Sequence, residues 1–293
     1  EFCKDNNIPP DFDVDTFAQL IDSTSRRVYP SIPTAVGFCM YVKRKLLNEI
    51  GGFDESFSPG YEEENDFCMR AYQAGYATVL DDSTFVYHEG RASFRGKGEK
   101  IAREHLKLVS EKHPDYLRIV EGFITQNPLR PLHDNVRKAL DRHYQSSRKK
   151  ILYVIHGPLD DPTAGGTEIH CRDIVENLRG VISYVLYPRD RSLFLEEYSP
   201  LGRQLNRYPK TWSETNPIWN SEAEEVFAQI LEKFKIDLVH FQHLMLLPLS
   251  LVTVAKQKGS KVIVSCHDAY YLCVQHRLLE NGLNYCYACA DLD

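Results

Sequence analysis

The most constraining feature of the chain is an alternation in its second half. Strand-like apolar runs occur at 151–155, 181–187, 236–241 and 261–266, separated by helical patterns at 167–179, 221–235 and 247–257. Strands spaced by helices of this length predict a parallel, doubly wound sheet, because each crossover needs a helix to return the chain to the same sheet edge. No repeat of 20–50 residues is visible. The 293 residues suggest about two domains, and three stretches are expected: 1–97, a helical connector at 98–150, and the α/β domain at 151–293.

Charge follows the same division. Residues 1–97 carry net −6, residues 98–150 net +5 and residues 151–293 net −5. An overall −6 with pI about 6.0 argues against a nucleic-acid-binding protein. The basic middle reads first as a solvated helical connector. It also reads as a surface attracted to an anionic membrane or a phosphorylated acceptor, which requires clustering on one face. No apolar run approaches the roughly 18 residues of a membrane-spanning helix, and no signal-peptide pattern is present. Eight cysteines are too sparse for a disulfide scaffold, and Cys39, Cys68, Cys171 and Cys266 sit in apolar runs. A reducing, cytoplasmic compartment is expected. Cys273, Cys286 and Cys289, with His276 nearby, have a spacing that suits a structural zinc, although zinc sites usually pair two knuckles; plain thiols are the simpler reading.

In the first stretch, residues 1–30 read as polar and irregular with a short apolar turn at Phe17 to Ile21. A strand is expected from Pro33 to Lys45, a helix from Arg44 to Ile50 stopped by Gly51-Gly52, and short strands at 76–80 and 84–87. The densest chemistry is Tyr61-Glu62-Glu63-Glu64-Asn65-Asp66, opening a helix from about Glu62 to Ala74. Carboxylates at a helix start are favoured by its partial positive charge, which accounts for two or three of them. A carboxylate held there on a rigid element also suits a general base.

Pro33-Thr34-Ala35-Val36-Gly37-Phe38-Cys39-Met40, Gly51-Gly52-Phe53-Asp54-Glu55, Gly60 to Ala71 and Tyr87-His88-Glu89-Gly90 together resemble the acceptor-side half of family 2 glycosyltransferases with the GT-A fold. The resemblance implies an inverting transferase in which Glu64 deprotonates the acceptor hydroxyl. It places Glu63 beside Glu64, Asp66 as an orienting carboxylate, Tyr61 against substrate, and His88 on a divalent Mg or Mn ion. A lone His after an apolar strand is otherwise more often a core or capping residue. Asp11-Phe12-Asp13 and Asp13-Val14-Asp15 match the metal-binding Asp-x-Asp of that family literally, but no apolar strand precedes them.

In the second domain Ile151 to Gly157 leads to Ala164-Gly165-Gly166-Thr167-Glu168, a strand, loop and helix start. Glycines there let a backbone approach a ligand, and the helix start favours an anion; the plain reading is a turn alone. The loop is not Gly-x-Gly-x-x-Gly, so a dinucleotide site is weakly supported. With Ile236 to His243 and Val262-Ile263-Val264-Ser265-Cys266-His267-Asp268, this pattern resembles the N-terminal Rossmann-like domain of family 4 glycosyltransferases with the GT-B fold. The resemblance implies that Gly165, Gly166 and Glu168 lie near the donor diphosphate, and that His267 and Asp268 line the active site of a retaining enzyme.

Together these readings imply a bifunctional glycosyltransferase of hexosyltransferase type. It would use nucleotide-sugar donors and a glycan or lipid-linked acceptor met at the inner face of the membrane. Glu1 is not a methionine and the donor-binding motifs of both families are missing, so a piece of a longer enzyme, inactive by itself, is expected. The alternatives are a non-catalytic glycan-binding or scaffolding segment and a metal-dependent hydrolase built on Glu63, Glu64, Asp66 and His88. Oligomeric state is not legible.

Overall fold

A computed structural model describes residues 7–89, 98–212 and 217–270. The chain divides into two compact units, 1–140 and 141–293.

The described part of the first unit is helical. Helix α1 (Val14–Thr24) lies where an irregular segment is expected. Its start is fixed by a capping box: the Asp13 carboxylate accepts from the Thr16 N–H at 2.8 Å, and the Thr16 hydroxyl accepts from the Asp13 N–H at 3.0 Å. Asp13 is thereby engaged as a helix cap. Helix α2 (Arg44–Ile50) ends at Gly51, whose φ of 79° stops it as expected. Helix α3 (Glu63–Gln73) ends before Gly75 at φ 83°.

The strands expected at Pro33–Lys45 and 84–87 do not form. A strand requires a hydrogen-bonded neighbour, and the described pairing is limited to one bridge, Ser31 to Val79, with Ile32 N–H on the Thr78 carbonyl at 3.0 Å. Val36, Phe38 and Tyr41 are exposed instead of buried on a sheet face. The basic stretch forms α4 (Gly98–Lys112), α5 (Tyr116–Gln126) and α6 (Arg130–Ser147), with breaks at Pro114 and Pro128, while Pro131 sits in the opening turn of α6, where its missing N–H costs nothing. Val109 of α4 and Tyr116 of α5 bury against Phe57 and Met69, so these two helices complete a core with α3. A second cluster joins Leu46, Phe67 and Ala71.

The second unit is built on a six-stranded sheet in the order β4-β3-β2-β1-β5-β6. Strands β1 (Lys149–Val154), β2 (Val181–Arg189), β5 (Leu238–Phe241) and β6 (Lys261–Val264) are parallel. Helices α7 (Gly166–Asn177), α8 (Ser221–Phe234) and α9 (Leu251–Gln257) supply the crossovers. The wholly parallel sheet needs correcting, because β3 (Ser192–Ser199) and β4 (Gly202–Pro209) add an antiparallel hairpin beside β2. The core is where the apolar runs put it: Leu152, Val154, Ile182, Tyr184, Val185, Leu186, Val239 and Phe241 are buried. No described helix is long and apolar enough to cross a membrane.

Candidate functional site

In the first unit the carboxylate run is presented by an unusual turn. Gly60, Tyr61 and Glu62 all have positive φ, at 142°, 69° and 72°. Two consecutive non-glycine residues in that region are strained, and such strain persists only where surrounding contacts hold it. His105 of α4 supplies one, with Nδ1 at 2.9 Å from the Gly60 carbonyl and 3.0 Å from that of Tyr61. Asn65 Nδ2 donates to the Glu62 carboxylate at 2.8 Å. Glu63 and Glu64 follow on the first turn of α3. Glu64 Oε1 accepts weakly from the Gly37 N–H at 3.4 Å, and Gly37 packs there without a side chain. One buried oxygen of each carboxylate, Oε2, has no hydrogen-bond partner in the described structure. Burial, then the neighbouring Glu64, raises the Glu63 pKa, so this carboxyl holds its proton more tightly than usual.

Asp66 differs. It is 1% exposed and pairs with Arg70 Nε at 2.8 Å and His113 Nε2 at 2.9 Å, while Arg70 reaches the Ile50 and Gly52 carbonyls. Its carboxylate fastens α3 to the 50–52 turn and the end of α4. Tyr61 is exposed, and His88 is exposed and stacks on Phe38 at 4.5 Å. Two cavities of about 610 and 490 Å³ share Tyr76, Ala77 and Thr78 in their linings, and neither is lined by Glu63 or Glu64.

In the second unit, polar side chains converge beyond the carboxyl ends of the parallel strands. The chain leaves β1 toward β2 on one side, and β5 lies on the other, so the sheet order reverses between β1 and β5. Open α/β sheets bind ligands at this kind of point. Register places Val154, Phe241 and Val264 side by side, which brings the residues following them to one level. His156 follows β1, Gln242 and His243 follow β5, and Ser265 to Asp268 follow β6. The start of α7 adds Gly165, Gly166, Glu168 and His170.

Contacts join these groups. Glu168 Oε1 is 2.8 Å from His156 Nε2, and its Oε2 accepts from the Gly165 N–H at 3.1 Å. The rings of His156 and His243 are 4.7 Å apart, and those of His170 and His267 5.3 Å. His243 Nδ1 accepts from the Met245 N–H at 3.0 Å, which leaves Nε2 as donor to Asp268 at 3.2 Å. His267 Nε2 lies 2.7 Å from Gln242 Oε1, and His240 Nε2 2.9 Å from the Ser265 hydroxyl. Burial first, then repulsion from His170, lowers the pKa of both His240 and His267. Both therefore favour the neutral ring near pH 7. Such a site offers a helix start, neutral imidazoles and hydrogen-bonding side chains at one sheet edge.

Residues 164–292 match the sequence model of Glycosyltransferase Family 4.

The matched stretch is less than half of the chain and lies within the second unit. It supports a glycosyltransferase-type function and, in general terms, binding of an activated sugar and an acceptor. No curated protein and no solved structure matches the chain.

The match begins one residue before Gly165 and takes in His267 and Asp268, which the fold brings to the same strand ends. Sequence reasoning did not single out His156, His170, Gln242 or His243. The signal was present in His156 and in Gln242-His243, each directly beyond an apolar strand. Among the described residues no group of three or more His, Cys, Asp or Glu side chains is arranged to hold a metal ion. Cys273, Cys286 and Cys289 lie outside the described residues.

Proposed function

We propose that the second unit serves transfer of a sugar from a nucleotide-sugar to a glycan or lipid-linked acceptor, with retention of configuration. The observation that carries this reading is the gathering of His156, Gln242, His243, His267 and Asp268 around the start of α7, at the point where strand order reverses. The helix start favours the donor diphosphate. Because Glu168 already occupies the Gly165 amide, the diphosphate would be met by the following turn at Gly166, and His267 would face the transferred sugar. For the first unit we propose an inverting transfer in which Glu64 takes the acceptor proton, supported by the placement of Glu63 and Glu64 on a rigid helix start.

Saturation-transfer NMR of the chain with a panel of UDP-, GDP- and ADP-sugars tests the second-unit reading. Binding that His267→Ala and Gly166→Val weaken would support it. Failure to bind any member, or binding of glycans alone, would sink it.

A further inference from the structure

The side chain of Gln242 is fully buried, and its backbone is pinned between neighbouring strands. Its N–H donates to the Val154 carbonyl at 2.8 Å, and the Ser265 N–H beside it donates to Phe241 at 2.9 Å. The carboxamide therefore has little freedom. Its Oε1 sits 2.7 Å from His267 Nε2, while its Nε2 lies 3.2 and 3.3 Å from the two ring nitrogens of His240. A carboxamide oxygen only accepts, so the His267 nitrogen facing it must carry the proton. Neutral imidazole carries one proton. The remaining nitrogen, Nδ1, makes no hydrogen bond with the described residues and has its lone pair available.

We propose that Gln242 is a positioning residue that locks His267 in the Nε2–H tautomer, so that Nδ1 acts as a hydrogen-bond acceptor. The identity of the group it accepts from rests on the glycosyltransferase reading. An acceptor nitrogen on a neutral ring takes an O–H and is repelled by a phosphate oxygen. His267 is thus assigned to a hydroxyl of the ligand rather than to its diphosphate. Gln242 acts through His267 and need not touch the ligand.

The lock is measurable without any ligand, which separates its failure from failure of the functional reading. Long-range ¹H–¹⁵N correlation of histidine-labelled protein near pH 7.5, with His267 assigned by its loss in His267→Ala, reports which nitrogen is protonated. The expected result is an Nε2–H excess of about tenfold, larger than that of a free histidine side chain by the bias one part-buried hydrogen bond adds. Gln242→Leu should reduce the excess to the smaller Nε2–H preference of a free histidine side chain, and Gln242→Glu, which keeps an acceptor oxygen, should retain it. A predominant Nδ1–H form in the unaltered chain overturns the proposal, and so does an excess unchanged in Gln242→Leu. If Gln242→Leu does not fold, the unaltered spectrum and Gln242→Glu still decide.

Discussion

Glu168 bridges two elements of the second unit: one carboxylate oxygen meets His156 Nε2 at 2.8 Å and the other the Gly165 N–H at 3.1 Å. Glu168 is 5% exposed, so both contacts are shielded from water. It ties the segment after β1 to the start of α7, and a Cβ on Gly165 would stand 3.4 Å from it. Glu168→Ala leaves the Gly165 amide and His156 without this partner and should cost about 1–3 kcal/mol. Glu168→Gln, which keeps an acceptor for the amide, should cost less. Urea unfolding of the whole chain measures both, and equal midpoints for the two variants would refute the bridge.

Asp66 and Glu64 stand two residues apart and should behave oppositely. Removing the Asp66 carboxylate takes one partner from the half-buried Arg70, which keeps the Ile50 and Gly52 carbonyls, and one from the buried His113, and should cost about 1–3 kcal/mol. Glu64 accepts a long 3.4 Å contact from the Gly37 N–H and keeps one buried oxygen without a hydrogen bond among the described residues, so Glu64→Gln should leave the melting temperature of the first unit nearly unchanged. Thermal unfolding followed by circular dichroism compares Asp66→Ala with Glu64→Gln. A larger loss in Glu64→Gln would remove the distinction between a fastening carboxylate and a presented one.

Lowered histidine pKa values set a sign for the acid response of the second unit. The unfolded chain binds protons at His240 and His267 with pKa near 6.5, whereas the folded chain resists them. Their contribution is complete above about pH 7. It falls away as pH drops below the unfolded value toward the lower folded ones. The raised pKa of buried Glu197 acts in the opposite direction at lower pH, so the difference between variants isolates the histidine part. His240→Asn should flatten the decline in urea midpoint between pH 7 and 5.5. An unchanged slope would show that His240 does not titrate in that window.

Cysteine reactivity should follow burial. Burial pushes the Cys171 thiol up to about 12 and raises that of Cys68, while Cys39 and Cys266 are exposed. Native alkylation read by peptide mass spectrometry should label Cys39 and Cys266 first, and Cys68 and Cys171 only on unfolding. Early labelling of Cys171 would contradict the packing of α7.

Strands β1 and β2 were legible because each holds a continuous apolar run buried on both faces, at 152–154 and 182–187. Strands β5 and β6 were legible because their short runs are largely apolar by composition, although Ile263 and Val264 of β6 are exposed. His267 was legible because it stands directly beyond such a run, and the glycine loop because it opens the helical pattern that follows β1. The pairing of His156 with Glu168 was not, since it joins residues from two elements whose approach depends on α7 crossing the sheet. The β3–β4 hairpin was hidden for a different reason. Glu196 and Glu197 interrupt the apolar run of β3, and β4 is mostly exposed, so neither gives the signal of a buried strand. In the first unit the Ala35–Val42 run looked like a strand by composition, but strand formation needs a partner and not only β-branched residues.

The hidden hairpin yields the sharpest stability prediction. Glu196 is 1% exposed and accepts from the Tyr187 hydroxyl at 2.7 Å, the Tyr198 hydroxyl at 2.6 Å and Arg203 at 2.6 Å. Arg203 also reaches Asp160 at 2.9 Å, so a residue of β4 braces the loop between β1 and α7. The paired carboxylates raise the Arg203 pKa, which keeps the guanidinium charged at every accessible pH. Arg203→Ala leaves Glu196 as a buried carboxylate with only hydroxyl donors and, because the Arg203 side chain is itself partly exposed, should cost about 1–3 kcal/mol. Adding Glu196→Gln to it removes the stranded charge and should recover part of that loss. A double-mutant cycle in urea therefore gives a coupling well above zero. Additive losses would mean that Arg203 and Glu196 do not depend on each other, and that β4 is not fastened through this pair.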